Sequence, residues 1–225
     1  MAAIRWRGKM PAEVIEKKAV DKKAGRREAV RAFKREAILQ AARKIFARDG
    51  LDGATLRAIA TEAGIAVGTV YLHYPAKEAL YAELLAGSLA ELQKHLRDAV
   101  AKAVAHEQLM AGALAFYDFY RQRPDDLYLG LYLGQGFQPT GLTPELDRLL
   151  NGRLIQCYTV LSDAMRHIAP VEAENLRAET VSLAAATGGA LMLETTGRLK
   201  ILGDTGEAVV RRHVEALVQR LRGRA

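Results

Sequence analysis

Apolar side chains recur at offsets of three and four along almost the whole chain, with no sustained one-in, one-out alternation between hairpin turns. That spacing collects them on one face of a helix and scatters them over both faces of a strand, so it selects an all-α fold. Ile38, Ala41, Ala42, Ile45 and Phe46 predict a first helix, which Gly50 can end by taking the left-handed conformation cheaply. A second stripe, Leu56, Ile59, Ala60 and Ala63, follows Thr55, whose hydroxyl can accept from an orphaned amide, and stops at Gly64. Pro75 disfavours helical dihedrals at Tyr74, which limits a third, short helix to about 67–74. From Lys77 a long helix carries Leu85, Leu89, Leu92 and Leu96 on one face. At about 1.5 Å per residue it extends roughly 35–40 Å, enough to bridge two domains. Further helices are expected over 106–121, 125–135, 144–168, 171–200 and 205–221.

At 225 residues, half of them hydrophobic, the chain can hold a small helical domain joined to a larger one. The formal charge of +7 is concentrated at one end: residues 1–31 carry ten Lys or Arg against four Asp or Glu. Such an arm is expected to be flexible and to suit a polyanion, because neutralised phosphates release counterions. The single Cys157 excludes an internal disulfide and reads as a small buried hydrophobe, consistent with a reducing, cytoplasmic setting. The longest weakly polar stretch, 181–193, is too short and too rich in glycine to span a bilayer, so no membrane partner is expected. The five histidines, at 73, 95, 106, 167 and 213, are scattered, and no phosphate loop or dinucleotide glycine pattern occurs. Neither a metal, a cofactor nor a catalytic site is expected.

Two short helices joined by a glycine turn make a helix-turn-helix, and a major groove about 12 Å wide admits the second of them. Small Ala60 lets the pair approach, Gly64 supplies the turn, and Ile65 and Val70 fill the space between. Over residues 38–80 the chain is more specific than that pattern. A first helix ending at Gly50 is followed by Thr55-Leu-Arg-Ala-Ile-Ala-Thr-Glu-Ala-Gly64, then Gly68-Thr-Val-Tyr-Leu-His-Tyr-Pro75, then Lys77-Glu-Ala-Leu80. In that order these blocks resemble the N-terminal domain of TetR-family transcriptional regulators. The resemblance implies a double-stranded DNA operator as partner and assigns roles to individual positions. Thr55 caps the second helix and touches a phosphate. Gly68 and Thr69 meet DNA, Tyr71 donates to a phosphate, and His73 and Tyr74 close the recognition helix. Lys77 holds another phosphate, aided by its own helix dipole. Arg57 is a further contact. Ala66, Val67 and Ala76 depart from the polar residues common in the family. With Ala66 and Val67 leading the recognition helix, hydrogen-bonded base reading there is reduced, leaving apolar contact with thymine methyls.

The resemblance also implies an effector and dimerisation domain. Residues 116–137 hold seven of the fourteen aromatics, which points to one apolar region with polar tips. Phe116, Tyr120, Tyr128, Tyr132, Tyr158, Met165 and Met192, with Glu194, are the candidates for binding an unidentified small-molecule effector. The small-residue run 184–190 and the basic final helix are expected to pair with their twofold mates in a homodimer. The division is then an arm over 1–31, a DNA-binding domain over 32–78 and a ligand-binding and dimerisation domain over 79–225. A repressor released by its effector is the expected mode, and nothing in the residues excludes activation. The rival is a sequence-blind DNA- or RNA-coating protein driven by the arm.

Overall fold

The computed structural model describes residues 12–131 and 142–223, in which every regular element is helical. Helix α1 runs Ala12–Gly53 and bends at Gly50, where φ is 69°. It starts 26 residues before Ile38, the first residue of the apolar stripe. The basic arm expected to be flexible is therefore helical from Ala12 onward, which its Ala, Glu, Lys and Arg content favours. Residues 25–36 of it are exposed, Phe33 and Val30 included, so propensity and not packing holds that part.

Helices α2 (Leu56–Ala63) and α3 (Val67–His73) follow, then the long α4 (Lys77–Lys102). Its 26 residues make it about 39 Å long. A single 3-10 turn at Ala105–Glu107 leads into α5 (Gln108–Arg121), and α6 (Pro124–Leu131) comes next. Tyr132 and the remainder of the helix expected to 135 lie outside the described residues. Helix α7 (Pro144–Arg166) opens on Thr143, whose hydroxyl accepts from the Leu146 amide at 3.3 Å.

The helix expected over 171–200 is two: α8 (Ala173–Thr195) and the short α9 (Arg198–Ile201). Gly197, at φ 71°, turns the chain between them. The Thr195 and Thr196 hydroxyls there bond back to the carbonyls of Leu191 and Met192, offering the backbone an alternative to continued helix. Last comes α10 (Gly206–Gly223), capped by the Thr205 hydroxyl on the Ala208 amide at 3.2 Å.

Helix α4 is the axis of the molecule, packing on α1 and α6 on one side and on α5 and α7 on another. Helices α8 and α10 pair and close the bundle over α5. One continuous apolar core runs from Ile38 in α1 to Leu221 in α10, with Leu80, Leu92 and Leu96 of α4 fully buried along it. Among the described residues no helix is long and apolar enough to cross a membrane.

The start of α10 has no room for a side chain. A Cβ added at Gly206 would lie 2.6 Å from the Tyr117 ring and would press on the Glu194 carboxylate to which Tyr117 donates its hydroxyl. Both neighbours are fixed by their mutual bond, and Tyr117 is 1% exposed, so neither swings away cheaply. Gly206→Ala is expected to destabilise the fold by about 1–3 kcal/mol. Urea denaturation checks this, and an unchanged midpoint would mean that the Tyr117–Glu194 pair is free to move.

Candidate nucleic-acid interface and ligand cavity

Helix α2 is held at both ends by local chemistry. Thr55, extended at φ −131°, accepts from the Ala58 amide at 3.1 Å. At the other end Gly64, at φ 64°, gives its amide to Thr61 O at 3.1 Å, and Ile65 gives its own to Ala60 O at 3.0 Å. This paired closure satisfies carbonyls that a helix end leaves orphaned and fixes the angle at which the chain departs toward α3. Leu56, Ile59 and Ala60 are buried and α2 packs on α1, whose Ile38, Ala42 and Ile45 lie in the same core.

Helix α3 has one fully buried side chain, Val70. Around that keel the opposite face is open: Ala66, Val67, Gly68, Tyr71 and Leu72 are exposed, Leu72 at 83% and Tyr71 at 56%, while Thr69 and His73 are half-buried. The open face carries no charge. Nothing in the sequence around Leu72, between Tyr71 and His73, marks it as a surface residue; only its exposure separates it from a core leucine. Gly68 is exposed too, and a Cβ placed there would meet nothing within 4 Å. The fold itself therefore does not require glycine at 68.

Among the other DNA-contact candidates, Thr55 and Arg57 are exposed and Lys77 is half-buried, its Nζ donating to Asp52 O at 3.1 Å. The structure removes Tyr74 from the surface. It is 4% exposed, because its extended backbone at the end of α3 turns the ring inward beside the Arg35–Glu83 ion pair. Burial, and then the Glu83 charge, push its phenol up to about 12. Tyr74 is thus a core residue under the recognition helix. Ala66 and Ala76 give α3 and α4 no side-chain cap, as their alanines dictate.

A cavity of about 130 Å³ opens between α4, α5, α6, α7 and α8. Leu85 and Leu89 come from α4, Phe116 and Tyr120 from α5, Leu127 and Gly130 from α6. Helix α7 supplies Leu150, Asn151, Leu154 and Tyr158, and α8 supplies Ala184, Gly188 and Leu191. Three of the sequence candidates, Phe116, Tyr120 and Tyr158, are brought together there: Phe116 stacks on Tyr158 at 5.7 Å and meets Tyr120 edge-on at 5.2 Å. The others are not. Tyr128 points outward at 41% exposure, Met165 is sealed in the core beside Thr180, and neither Met192 nor Glu194 lines the cavity. Within the small-residue run, Ala184 and Gly188 face the cavity, one helical turn apart.

Cavity and helix-turn-helix meet at α6. Asp126, 1% exposed, receives the Arg43 guanidinium of α1 and has Arg123 at 3.9 Å. Three residues on, the Leu129 carbonyl accepts the Tyr81 hydroxyl of α4 at 2.6 Å. Leu127 and Gly130, between and beyond these anchors, face the cavity. Nothing in the spacing of the sequence marks Arg43 and Asp126 as partners 83 positions apart. Among the described residues no group of His, Cys, Asp and Glu could hold a metal.

The geometry defines a two-part helical protein with a helix-turn-helix at one end and a ligand-sized apolar cavity in the other. A profile of bacterial regulatory proteins of the tetR family matches residues 38–84. The chain is 28% identical over 137 residues to YerO, an HTH-type transcriptional regulator of Bacillus subtilis, which is 56% of this chain and 47% of YerO. It is 38% identical over 71 residues to the HTH-type transcriptional repressor KstR2 of Rhodococcus jostii, or 32% of this chain and 35% of that one. The matched stretches thus span half or less of those relatives' length. Among solved structures, FadR of Bacillus subtilis in complex with stearoyl-CoA superposes with a TM-score of 0.65 at 19% identity, over 81% of this chain and 97% of FadR. PfmR of Thermus thermophilus, a TetR-family transcriptional regulator, gives 0.65 at 16% identity over the same shares. Residues 38–84 thus match the tetR family of bacterial regulatory proteins, and the helical fold as a whole is shared with solved TetR-family structures.

The α1–α6 link yields a stability test. Arg43→Ala leaves a buried carboxylate with only the more distant Arg123, so the fold is expected to lose about 2 kcal/mol; that is less than for a fully enclosed pair, because Arg43 is 38% exposed. Equilibrium unfolding in urea measures it, and a loss below a few tenths would mean that water already solvates Asp126.

Proposed function

We propose that this protein is a sequence-specific DNA-binding repressor which acts as a homodimer and is released by a small molecule entering the cavity. The observation that carries the reading is the open face of α3, with Val67, Gly68, Tyr71 and Leu72 presented outward on a helix anchored by a single buried valine. A soluble chain has no reason within its own fold to display a leucine at 83% exposure beside a glycine that no neighbour demands. Laid in a major groove, the same face offers close backbone approach at Gly68 and apolar contact with thymine methyls at Val67 and Leu72. Thr55, Arg57, Tyr71 and Lys77 are the phosphate contacts on this reading, with Ala66, Thr69 and His73 at the groove edge. Residues 32–78 form the DNA-reading unit, and residues 79–225 bind effector and dimerise.

Helices α8 and α10 are the proposed dimer surface, and Val181 of α8, 62% exposed, belongs to it. Two α3 helices would then lie about 34–36 Å apart, in successive major grooves of an inverted repeat. The FadR complex with stearoyl-CoA supports an effector with hydrocarbon character, since this chain shares that fold and has apolar cavity walls. A ligand that widens the cavity pushes on Leu127 and Gly130, and α6 passes the displacement through the Arg43–Asp126 and Tyr81–Leu129 bonds to α1 and α4. The ligand lowers DNA affinity by the ratio of its own affinities for the two forms.

The test is a selection from random duplex DNA at physiological salt, followed by affinity measurement with variants. The expected product is an inverted repeat bound at least roughly a thousandfold more tightly than unrelated DNA. Its preference should disappear in the Tyr71→Phe, Lys77→Ala double variant. Binding that ignores sequence and falls steeply with salt would instead favour a DNA-coating role for the basic helix.

Gly68→Ala separates fold from interface. Replacing an exposed helical glycine should leave the chain as stable or up to about 1 kcal/mol more so. The same methyl in the groove should weaken operator binding by roughly tenfold or more. Unweakened binding would place Gly68 away from DNA.

A further inference from the structure

The cavity is selective in a way that its size alone does not convey. Among the described residues, none of the side chains lining it is Asp, Glu, Lys, Arg or His. Its deep walls, Leu89, Leu127, Leu150 and Leu191, are hydrocarbon and nearly free of solvent. An ionised group placed among them would lose its hydration with no countercharge to replace it, a large penalty.

Yet the wall is not wholly apolar. Tyr120 is 5% exposed and lines the cavity, and among the described residues no hydrogen bond engages its hydroxyl. This is a buried hydroxyl on the cavity wall, beside Gly130, with no partner among the described residues, which natural interiors avoid unless a partner is to arrive. Asn151, exposed on α7, lines the same cavity and marks its solvent side, with Tyr158 half-buried between. One donor thus stands deep in the cavity and an amide stands at its rim.

We infer that the effector is an uncharged molecule, hydrocarbon in body, whose hydroxyl or carbonyl oxygen accepts a hydrogen bond from Tyr120 while Asn151 meets a polar group at the mouth. This rests on the reading of the cavity as the effector site. In the form described the space suits about one six-membered ring, since an apolar cavity of ~150 Å³ takes benzene. A longer molecule extends past Asn151 or widens the cavity. A carboxylate or phosphate is refused by these walls.

Four ring compounds of similar size test the chemistry on the full-length protein: cyclohexanone, methylenecyclohexane, cyclohexanecarboxylate and cyclohexylammonium. Dissociation constants come from protein-observed NMR titration at neutral pH. Cyclohexanone is expected to bind at least roughly tenfold more tightly than either ion, which corresponds to one hydrogen bond gained and one charge refused. Tyr120→Phe should weaken cyclohexanone several-fold and leave methylenecyclohexane unchanged, and Gly188→Leu, which fills the cavity from α8, should abolish both. Binding of the carboxylate or the ammonium as tight as that of the ketone overturns the inference. So does a Tyr120→Phe effect that is nil or equal for ketone and hydrocarbon, and so does the absence of binding by all four. Operator binding by the unliganded protein reads the regulator assignment separately. If the operator is bound and the ring compounds behave otherwise, the regulator stands and this inference falls. If the ketone binds as stated and no operator exists, the reverse holds.

Discussion

A buried carboxylate ties the two halves of this molecule together. Asp126 is all but inaccessible, and the guanidinium that neutralises it belongs to α1, in the helix-turn-helix. A carboxylate enclosed in this way is costly unless its partner is in place, so the pair contributes less to net stability than to fixing which arrangement of α1 and α6 is allowed. Tyr81 adds a second tether from α4 to the Leu129 carbonyl on the same short helix. Helix α6 is therefore bound on one side to the elements that orient α3, and lines the cavity on the other. Apolar packing alone would tolerate sliding between α1 and α6; a buried ion pair and a directed hydrogen bond do not, because both weaken steeply with misalignment.

Most of the helix-turn-helix was legible in the sequence because its determinants are local. Thr55 caps α2, Gly64 ends it, Pro75 ends α3, and each acts on backbone groups within a few residues of itself. The same locality explains the errors. Tyr74 reads from the sequence as readily as core as interface, and only its extended backbone, which sends the ring under α3, decides for core. The basic arm looks like a tail because it has no apolar stripe, whereas helix propensity needs none. Gly197 divides α8 from α9 by a conformation that a run of mixed apolar and threonine residues does not announce.

The cavity was only partly legible, for a geometric reason. Its walls come from five helices, so its residues are scattered from Leu85 to Leu191. Clustering of aromatics marked α5, yet successive helical positions point about 100° apart. Phe116 and Tyr120 consequently face the cavity, Tyr117 turns to Glu194, and Phe119 lies under Arg123 and against His95. Composition finds such a helix but does not say which rings share a face with Leu89, which stands on α4, 27 residues before Phe116.

The uncharged face of α3 fixes how binding energy must be divided if the protein reads DNA as proposed. Arg and Lys that reach base edges usually supply both attraction and discrimination; here neither residue type stands on that face. Attraction then falls to cations outside α3, Arg57, Lys77 and the basic helical extension of α1, which grip phosphates whatever the sequence. Discrimination falls to shape and methyl contacts, each worth less than a bidentate hydrogen-bonded pair. A site read by many weak contacts is sensitive to the spacing of its two halves, since no single bond holds either half in register. In the proposed dimer, that sensitivity would let a modest displacement of α6, carried through Arg43 and Tyr81, decide whether two α3 helices can be seated together.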